Sequence, residues 1–187
     1  GVNIKIVRLP DNMDPDEYIL KNGKDSFLAQ INSGINLIDY KMELLKKNKV
    51  AVVCGILSGT LASLTGIFVL CMLFGFNHQQ YVTMLPKSIT TAIGIGISEE
   101  LGGIVTITVA VIIITGILGN VIADTVFRIF KIKNPLAKGL ALGTASHAIG
   151  TARAIEMGPV EGAMSSLAVA VAGLLTVVFV SGFAQLI

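Results

Sequence analysis

The residues best suited to chemistry in this 187-residue chain lie between positions 137 and 162. This stretch separates two long uncharged runs, yet it carries His147, Arg153, Glu156 and Glu161. Ionisable groups are costly at membrane depth, so those found there are functional candidates. Glycines and a proline in the same stretch predict a broken helix, which is tolerated in a membrane only where protein or a water-filled cavity covers it. Discontinuous helices of this kind build many transporter binding sites.

The polar side chains of this stretch suit the binding of a small anion. On a continuous helix, Ser146 shares a face with Arg153, and Thr144 shares another face with His147 and Thr151. The Arg153 guanidinium has a fixed fork of donors that matches a carboxylate. The three hydroxyls suit a hydroxy acid, and His147, which titrates near neutral pH, suits proton coupling.

A second polar segment, at residues 87–100, supplies an opposing wall. Its lysine and hydroxyl side chains at the start of the segment are Lys87, Ser88, Thr90 and Thr91. The sequence predicts that the two broken segments meet near the middle of the membrane and hold a small anion between them.

The charged residues and the histidine also have purely structural interpretations. Arg153 would equally form an internal ion pair with Glu156 or Glu100, or lie on the cytoplasmic surface, because buried charges pair whether or not they bind a ligand. His147 would equally be a hydrogen-bonded packing residue. Glu99 and Glu100 would equally flank the end of a helix.

Residues 90–104 and 146–160 are similar to each other at a constant offset of 56 positions. The identical pairs are Ala92 and Ala148, Ile93 and Ile149, Gly94 and Gly150, Glu100 and Glu156, and Gly102 and Gly158. A long apolar run follows each copy. If the first copy enters from outside and the second from the cytoplasm, the copies form an inverted repeat, as in secondary transporters. Chance similarity between membrane segments rich in small residues is the alternative.

Three uncharged runs are each long enough to cross about 30 Å of hydrocarbon. They occupy residues 51–76, 101–123 and 162–187. Basic clusters at residues 46–49 and 128–138 predict that the N-terminus and the second loop lie in the cytoplasm. Residues 87–100 would then begin and end outside, as a re-entrant or broken segment.

Charge is distributed unevenly along the chain. Residues 1–49 hold 8 Lys/Arg and 7 Asp/Glu, whereas residues 50–187 hold only 6 and 5. A polar quarter before an apolar remainder indicates a membrane protein with an N-terminal extension. The net charge of +2 is too small to favour nucleic-acid binding. The sequence has no catalytic triad, metal motif or phosphate loop, so we predict neither an enzyme nor a cofactor or metal site.

The N-terminal extension has the pattern of a short βαα fragment. Residues 2–9 alternate as in a strand, a turn rich in Pro and Asp follows, a helix begins at Pro15, and residues 25–47 have the periodicity of an amphipathic helix. One strand and two helices are too little to form a core, so this fragment is not expected to fold alone.

The order of LPDNMDPDEY and INLIDYKMELL within residues 2–47 resembles the end of the Toprim catalytic domain of bacterial DnaG primase. The three acids of the turn are Asp11, Asp14 and Asp16. We interpret them as an exposed turn and helix start, because three acids on a loop without a framework do not fix a metal. The other primase parts do not occur in this sequence, so the resemblance implies no primase activity.

Residues 46–187 resemble the LrgB family, the larger partner in LrgA/LrgB and CidA/CidB systems. The matching motifs are LPKSITTAI, SEELGGI, IITGILGNVI, IKNPLAKGLALGTASHAIGTARA and EGAMSSLAVAVAGLLT. The resemblance implies an antiholin-like modulator of murein hydrolase activity and autolysis in the bacterial inner membrane. It implies transport of small carboxylates such as pyruvate or glycolate, and an LrgA- or CidA-like membrane partner. The sequence leaves open whether the chain forms a homo-oligomer.

The predicted fold is an all-α polytopic membrane protein with three full spans, two broken or re-entrant segments and an inverted repeat. LrgB proteins normally have further membrane segments before the first run, so the membrane domain, residues 48–187, is expected to be truncated. With residues 1–47 ahead of it, and Gly1 in place of Met, the chain is expected to be a chimera or fragment. The alternatives for function are a non-transporting regulatory subunit of a holin-like system and an inactive chimera.

Overall fold

The computed structural model describes residues 5–7, 9–10, 13–36, 39, 43 and 46–187. The chain divides into two compact units, Gly1–Lys49 and Val50–Ile187.

In the first unit, β1 (Lys5–Ile6) pairs with β2 (Ile35–Asn36) in an antiparallel register, and α1 (Pro15–Asn32) lies between them in sequence. Proline at the first helical position and two acids in the first turn favour the start of α1. Gly23 has φ 82° and kinks the helix.

Two predictions for this unit need correction. The strand predicted over residues 2–9 is only two residues long in the part that the structure describes. The helix predicted over residues 25–47 is not continuous, because α1 ends at Asn32 and β2 follows three residues later. Residues 39, 43, 46 and 47 are again helical. Asp11 lies outside the described residues, and Asp14 and Asp16 are exposed at the start of α1.

Six helices form the membrane part of the chain. They are α2 (Lys49–Phe74), α3 (His78–Met84), α4 (Thr91–Glu100), α5 (Val105–Ile129), α6 (Pro135–Met157) and α7 (Pro159–Ala184). Among the described residues, α2, α5 and α7 are the three helices long and apolar enough to cross a membrane. The prediction of a helical membrane protein with three spans is therefore confirmed.

The three spans run in alternating directions between two ends of the second unit. We call these ends the Asn77 end and the Asn134 end, after the residues that cap α3 and α6. At the Asn77 end, the Tyr81 hydroxyl donates to the Phe183 carbonyl near the end of α7 at 2.8 Å. At the Asn134 end, Gly139 packs against the backbone of Glu161 near the start of α7, and an added Cβ would overlap the Glu161 carbonyl oxygen.

The same markers orient the other two spans. α5 begins at the Asn77 end, where the Ile104 N–H donates to Thr83 Oγ1 at 2.8 Å. It ends at the Asn134 end, where Lys138 Nζ lies 5.8 Å from the centre of the Phe127 ring. α2 runs the opposite way, since its Phe68 ring lies 6.3 Å from Tyr81 near its C-terminal end.

α3 and α4 form a hairpin that enters from the Asn77 end and returns to it. Gln79 Nε2 donates to the Gly102 carbonyl at 3.3 Å, which joins the start of α3 to the end of α4. Nearer the elbow, a Cβ on Gly94 would lie 3.7 Å from Pro86. The elbow consists of residues 85–90.

α6 reverses direction at His147, whose φ of 43° and ψ of −135° are not helical. A Cβ on Gly150 would lie 2.8 Å from the Leu142 carbonyl oxygen, although eight residues of straight helix span about 12 Å. Both arms lie along α5, since Ser146 approaches Gly119 and Asn120 Nδ2 donates to the Ile149 carbonyl at 3.0 Å. α6 is therefore a second hairpin, and it enters from the Asn134 end.

Two helix ends have the same geometry 56 positions apart. After α2, Gly75 has φ 64° and the Phe76 N–H donates to the Cys71 carbonyl at 2.9 Å. After α5, Lys131 has φ 55° and the Ile132 N–H donates to the Phe127 carbonyl at 2.9 Å. These are helix ends of the Schellman type. The inverted repeat itself stays a prediction.

Candidate functional site

A groove of about 790 Å³ runs between α2 and the first arm of α6, and it ends at the elbow of the α3–α4 hairpin. We call it the α2–α6 groove. Its lining residues are Ala51, Gly55, Ser58, Gly59, Ala62, Ser63, Lys87, Ser88, Asn134, Leu136, Ala137, Leu140, Ala141, Thr144 and Ala145. From Ala51 to Ser63 the α2 wall is about 18 Å long, so the groove leads from the Asn134 end to Lys87.

Small residues on α2 bring the two walls together. A Cβ on Gly59 would lie 2.7 Å from Thr144 Oγ1, and a Cβ on Gly55 would lie 3.0 Å from Leu140. Glycine at these positions allows the close helix approach that is typical of membrane proteins. Along one flank the groove is open, since Ser58, Ala62 and Ala145 are exposed.

Lys87, Ser88 and Ser63 form a cluster of donors at the closed end of the groove. Lys87 Nζ and Ser63 Oγ both donate to Ser88 Oγ at 2.9 Å. Ser88 is 5% exposed and Lys87 is half-buried. Since the Ser88 oxygen accepts two hydrogen bonds, its own hydrogen can be donated to a ligand, and Lys87 has two further N–H groups. This arrangement presents donors and one positive charge, which suits an anion.

Thr144 contributes a lone pair to the same groove. Its Oγ1 donates to the Leu140 carbonyl at 2.9 Å, so the hydroxyl hydrogen is already used within the helix. The remaining lone pairs of Oγ1 accept a hydrogen bond from a ligand hydroxyl. Of the nine predicted binding residues, the structure brings Lys87, Ser88 and Thr144 together in this groove.

Thr90 and Thr91 follow the donor cluster at the start of α4 but do not line the groove. Thr90 is the N-cap residue of α4, and its side chain makes no capping bond. The N-terminus of a helix carries a partial positive charge, which adds to the field of Lys87 at this elbow.

Ser146, His147 and Thr151 lie on other surfaces of the α6 hairpin. His147 is 3% exposed, and its Nε2 is 2.9 Å from the Ile112 carbonyl, to which it donates. Thr151 Oγ1 donates to the His147 carbonyl at 2.9 Å and bonds Ser165 Oγ at 2.8 Å. These bonds join the hairpin to α5 and α7, as the packing interpretation of His147 expects.

Arg153 lies at the Asn134 end, outside the α2–α6 groove. It pairs with Asp124 on α5 and, at 2.7 Å, with Glu156. The ion-pair interpretation with Glu156 thus describes its contacts. Glu100 is exposed at the last residue of α4, at the opposite end of the unit, and is not its partner.

Sequence reasoning missed Ser63 and Asp124 as members of these two clusters. Ser63 lies within the first uncharged run, and its bond partner Ser88 lies 25 positions away. Asp124 is 29 positions from Arg153. Among the described residues, no group of three or more His, Cys, Asp or Glu residues is placed to hold a metal ion.

Comparison with known proteins gives a consistent match. A model of the LrgB-like family matches residues 35–186. The chain is 40% identical over 143 residues to the antiholin-like protein LrgB of Bacillus subtilis strain 168. It is equally similar to proteins of the same name from Bacillus cereus strain B4264 and Bacillus anthracis strain CDC 684 / NRRL 3495.

The matched segment is 76% of this chain and 62% of the length of each relative. No solved structure matches the chain. The family match begins at residue 35, earlier than the predicted boundary at residue 46, so it includes part of the segment that resembles primase. The primase resemblance and the predicted chimera stay predictions.

Proposed function

We propose, since this chain belongs to the LrgB-like family, that it acts as an antiholin-like protein of the bacterial inner membrane. In this proposal it modulates murein hydrolase activity and autolysis by transporting a small carboxylate such as pyruvate or glycolate. The observation that carries the proposal is the donor cluster of Lys87, Ser88 and Ser63 at the closed end of the α2–α6 groove. No enzymatic reaction, cofactor or nucleic-acid partner is part of the proposal.

The chemistry of the groove favours a carboxylate over a neutral solute. Lys87 would form a charge-assisted hydrogen bond to one carboxylate oxygen, and Ser88 would donate to the other. Thr144 would accept from the hydroxyl of a hydroxy acid, which makes glycolate a better fit than an unsubstituted acid. A lysine whose charge has only a hydroxyl partner is unfavourable inside a membrane protein, so a bound anion would also stabilise the protein.

The position of the groove supports access from one side of the membrane. It is open toward the Asn134 end, whereas an apolar cluster that includes Ile67, Tyr81 and Leu85 fills the space toward the Asn77 end. The basic residues 128–138 favour a cytoplasmic Asn134 end, and with it a cytoplasmic N-terminus. In this orientation the groove opens to the cytoplasm.

The predicted inverted repeat fits a transporter with two access states. One hairpin enters from each end of the unit, and two Schellman-type helix ends lie 56 positions apart at Gly75 and Lys131. Paired segments of opposite direction around a central site are typical of alternating access. We propose that the α3–α4 and α6 hairpins are the two copies.

The test is uptake of labelled pyruvate and glycolate into proteoliposomes that contain the full chain. Lys87→Met keeps the length of the side chain but removes its charge. It should lower initial uptake by about 10- to 100-fold, the equivalent of one hydrogen bond to a charged group. Arg153→Met removes a charge outside the groove and should leave uptake unchanged. Unchanged uptake by Lys87→Met, with loss by Arg153→Met, would favour the site predicted around Arg153 and overturn this one.

A second candidate function is a regulatory subunit without transport. The observation that favours it is the open flank of the groove at Ser58, Ala62 and Ala145, where small side chains would allow a partner helix to approach closely. An LrgA- or CidA-like protein, or a second copy of this chain, would cover this flank. Cross-linking from Ala62→Cys in a background without Cys54 and Cys71 tests the contact. A partner-dependent cross-link with no uptake of either acid would favour the regulatory subunit.

A further inference from the structure

A basic cavity of about 380 Å³ lies at the Asn134 end, apart from the α2–α6 groove. Four cationic side chains from the end of α5, the following turn and the start of α6 line it, namely Arg128, Lys131, Lys133 and Lys138. Asp124 is the one carboxylate among its lining residues, and it pairs with Arg153. The cavity therefore has a strong excess of positive charge.

At this cavity a lysine occupies a backbone position with positive φ. Lys131 has φ 55° in the turn that ends α5, whereas Gly75 takes the matching position after α2. A side chain is disfavoured at this kind of position, where glycine is the usual residue. Lys138 is held at the opposite wall, with Nζ 5.8 Å from the centre of the Phe127 ring.

An apolar groove lies next to this cavity along α5. It has a volume of about 250 Å³, and its walls include Gly119 and Ile122 on α5 and Ala141 on α6. Phe127 lines both the groove and the basic cavity, so the two spaces are adjacent. From Gly119 to Phe127 the groove is about 12 Å long and follows the axis of a membrane span. Ile122 and neighbouring Val121 are 48% and 72% exposed, so the groove is open to the hydrocarbon.

We infer that the basic cavity and the apolar groove together bind one anionic phospholipid. The phosphate lies among Arg128, Lys131 and Lys133, and an acyl chain lies against Ile122 and Phe127. Basic pockets beside membrane helices are typical sites for anionic headgroups. A free phosphate would use the cavity but not the groove, and a zwitterionic lipid would use the groove without the excess charge. The basic cavity and the apolar groove together therefore favour a molecule that has both an anionic headgroup and an acyl chain.

Occupation of this site would brace the α6 hairpin. The groove ends at Ser146, next to the reversal at His147, and its walls are α5 and the first arm of the hairpin. A lipid that contacts both walls holds them at a fixed spacing. The α2–α6 groove shares Ala141 and Ala145 with the apolar groove. The inference is nevertheless independent of the proposed transport, because the cationic residues of the lipid site and the donor cluster at Lys87 have no residue in common.

Native mass spectrometry of the full chain with phosphatidylglycerol and phosphatidylcholine tests the site. We expect the parent chain to retain phosphatidylglycerol in preference to phosphatidylcholine. The variant Lys131→Gln with Lys133→Gln should weaken phosphatidylglycerol binding about twenty-five-fold, since each basic residue near a lipid surface contributes about fivefold. Lys46→Gln with Lys47→Gln removes the same charge elsewhere and should leave binding unchanged.

Two further experiments distinguish a bound phospholipid from a bound free anion. Ile122→Trp fills the apolar groove without altering charge and should also weaken phosphatidylglycerol binding, whereas inorganic phosphate should not displace the lipid. Displacement by phosphate, or full binding by Ile122→Trp, would overturn the phospholipid in favour of a free anion. An equal loss in the Lys46 and Lys47 variant would overturn the site in favour of diffuse surface charge.

Discussion

The two hairpins of the membrane unit differ most at their elbows. The α3–α4 elbow is six residues long, from Leu85 to Thr90, and it presents Lys87 and Ser88 to the α2–α6 groove. The α6 elbow is the single residue His147, whose ring is buried and bonded to α5. A long elbow has polar side chains to offer to a ligand, whereas a one-residue elbow uses its side chain to fix its own fold.

The two hairpins are also held to α5 by different means. A buried chain of hydroxyl groups holds the α3–α4 hairpin, with Thr108 Oγ1 donating to the Thr83 carbonyl at 2.9 Å and bonding Ser98 Oγ at 2.8 Å. The α6 hairpin depends instead on Gly116 and Gly119 of α5, which leave room for the side chains of His147 and Ser146, together with single bonds from His147 and Asn120. Substitutions should therefore damage one hairpin by steric overlap and the other by loss of hydrogen bonds.

The largest effect is expected from Gly150→Ala in the second arm of the α6 hairpin. The added Cβ would lie 2.6 Å from the Ser146 Cβ and 2.8 Å from the Leu142 carbonyl oxygen. Such overpacking lowers the free energy of unfolding by about 1–3 kcal/mol. Gly96→Ala, in the second arm of the other hairpin, has no atom within 4 Å and should raise stability by about 1 kcal/mol. Thermal unfolding in detergent measures both, and equal midpoints would show that the hairpin does not close as described.

The next effect is expected from Thr108→Val in the α3–α4 anchor. The substitution keeps the shape of the side chain but leaves the Thr83 carbonyl and Ser98 hydroxyl without this buried partner. A lost buried hydrogen bond of this kind costs about 1–3 kcal/mol of unfolding free energy. Asn120→Leu removes one part-buried bond from the other hairpin, to the Ile149 carbonyl, and should cost about 1 kcal/mol or less. A larger loss for Asn120→Leu would reverse the comparison between the two anchors.

A smaller effect is expected at the one-residue elbow, where the usual order of alanine and glycine should be reversed. In an ordinary helix interior glycine is about 1 kcal/mol less stable than alanine. At His147, with φ 43°, glycine avoids a backbone strain of about 1–3 kcal/mol that alanine retains, so after its own cost of about 1 kcal/mol glycine should be ahead by up to about 2 kcal/mol. Both His147→Gly and His147→Ala lose the bond to the Ile112 carbonyl, so their difference isolates the backbone. A more stable alanine variant would mean that the elbow relaxes into a continuous helix.

The difference between the elbows also explains how much of the fold could be predicted from the sequence. The three spans were predictable because an uncharged run of sufficient length is a local property. The break in α6 was predictable from its glycines, but its position at a non-glycine residue was not. The faces assigned to residues 144–153 assumed one continuous helix. Because the chain reverses at His147, Ser146 approaches Gly119 while Arg153 pairs with Asp124, and the two no longer share a face.

Contacts between distant segments were the other limit. No local pattern indicates that Ser63 bonds Ser88 or that Asp124 pairs with Arg153, since both contacts depend on how helices pack. The interruption of the helix predicted over residues 25–47 could have been predicted from the local sequence. Asn32, Ser33 and Gly34 form a stop signal at the end of α1, and the apolar periodicity across them concealed it.

The smallest effect is expected from Arg153→Met. The same substitution would have had a severe effect if Arg153 were the anion-binding residue. Its pairs with Asp124 and Glu156 are on the surface, with half or more of each carboxylate side chain exposed. Exposed ion pairs contribute little to stability and are screened by salt. The unfolding midpoint of Arg153→Met should therefore lie close to that of the parent at low salt and merge with it in 1 M sodium chloride, a concentration that screens charges beyond about 3 Å. A deficit that persists in high salt would contradict the surface position of these ion pairs and would require Arg153 to contact a buried partner.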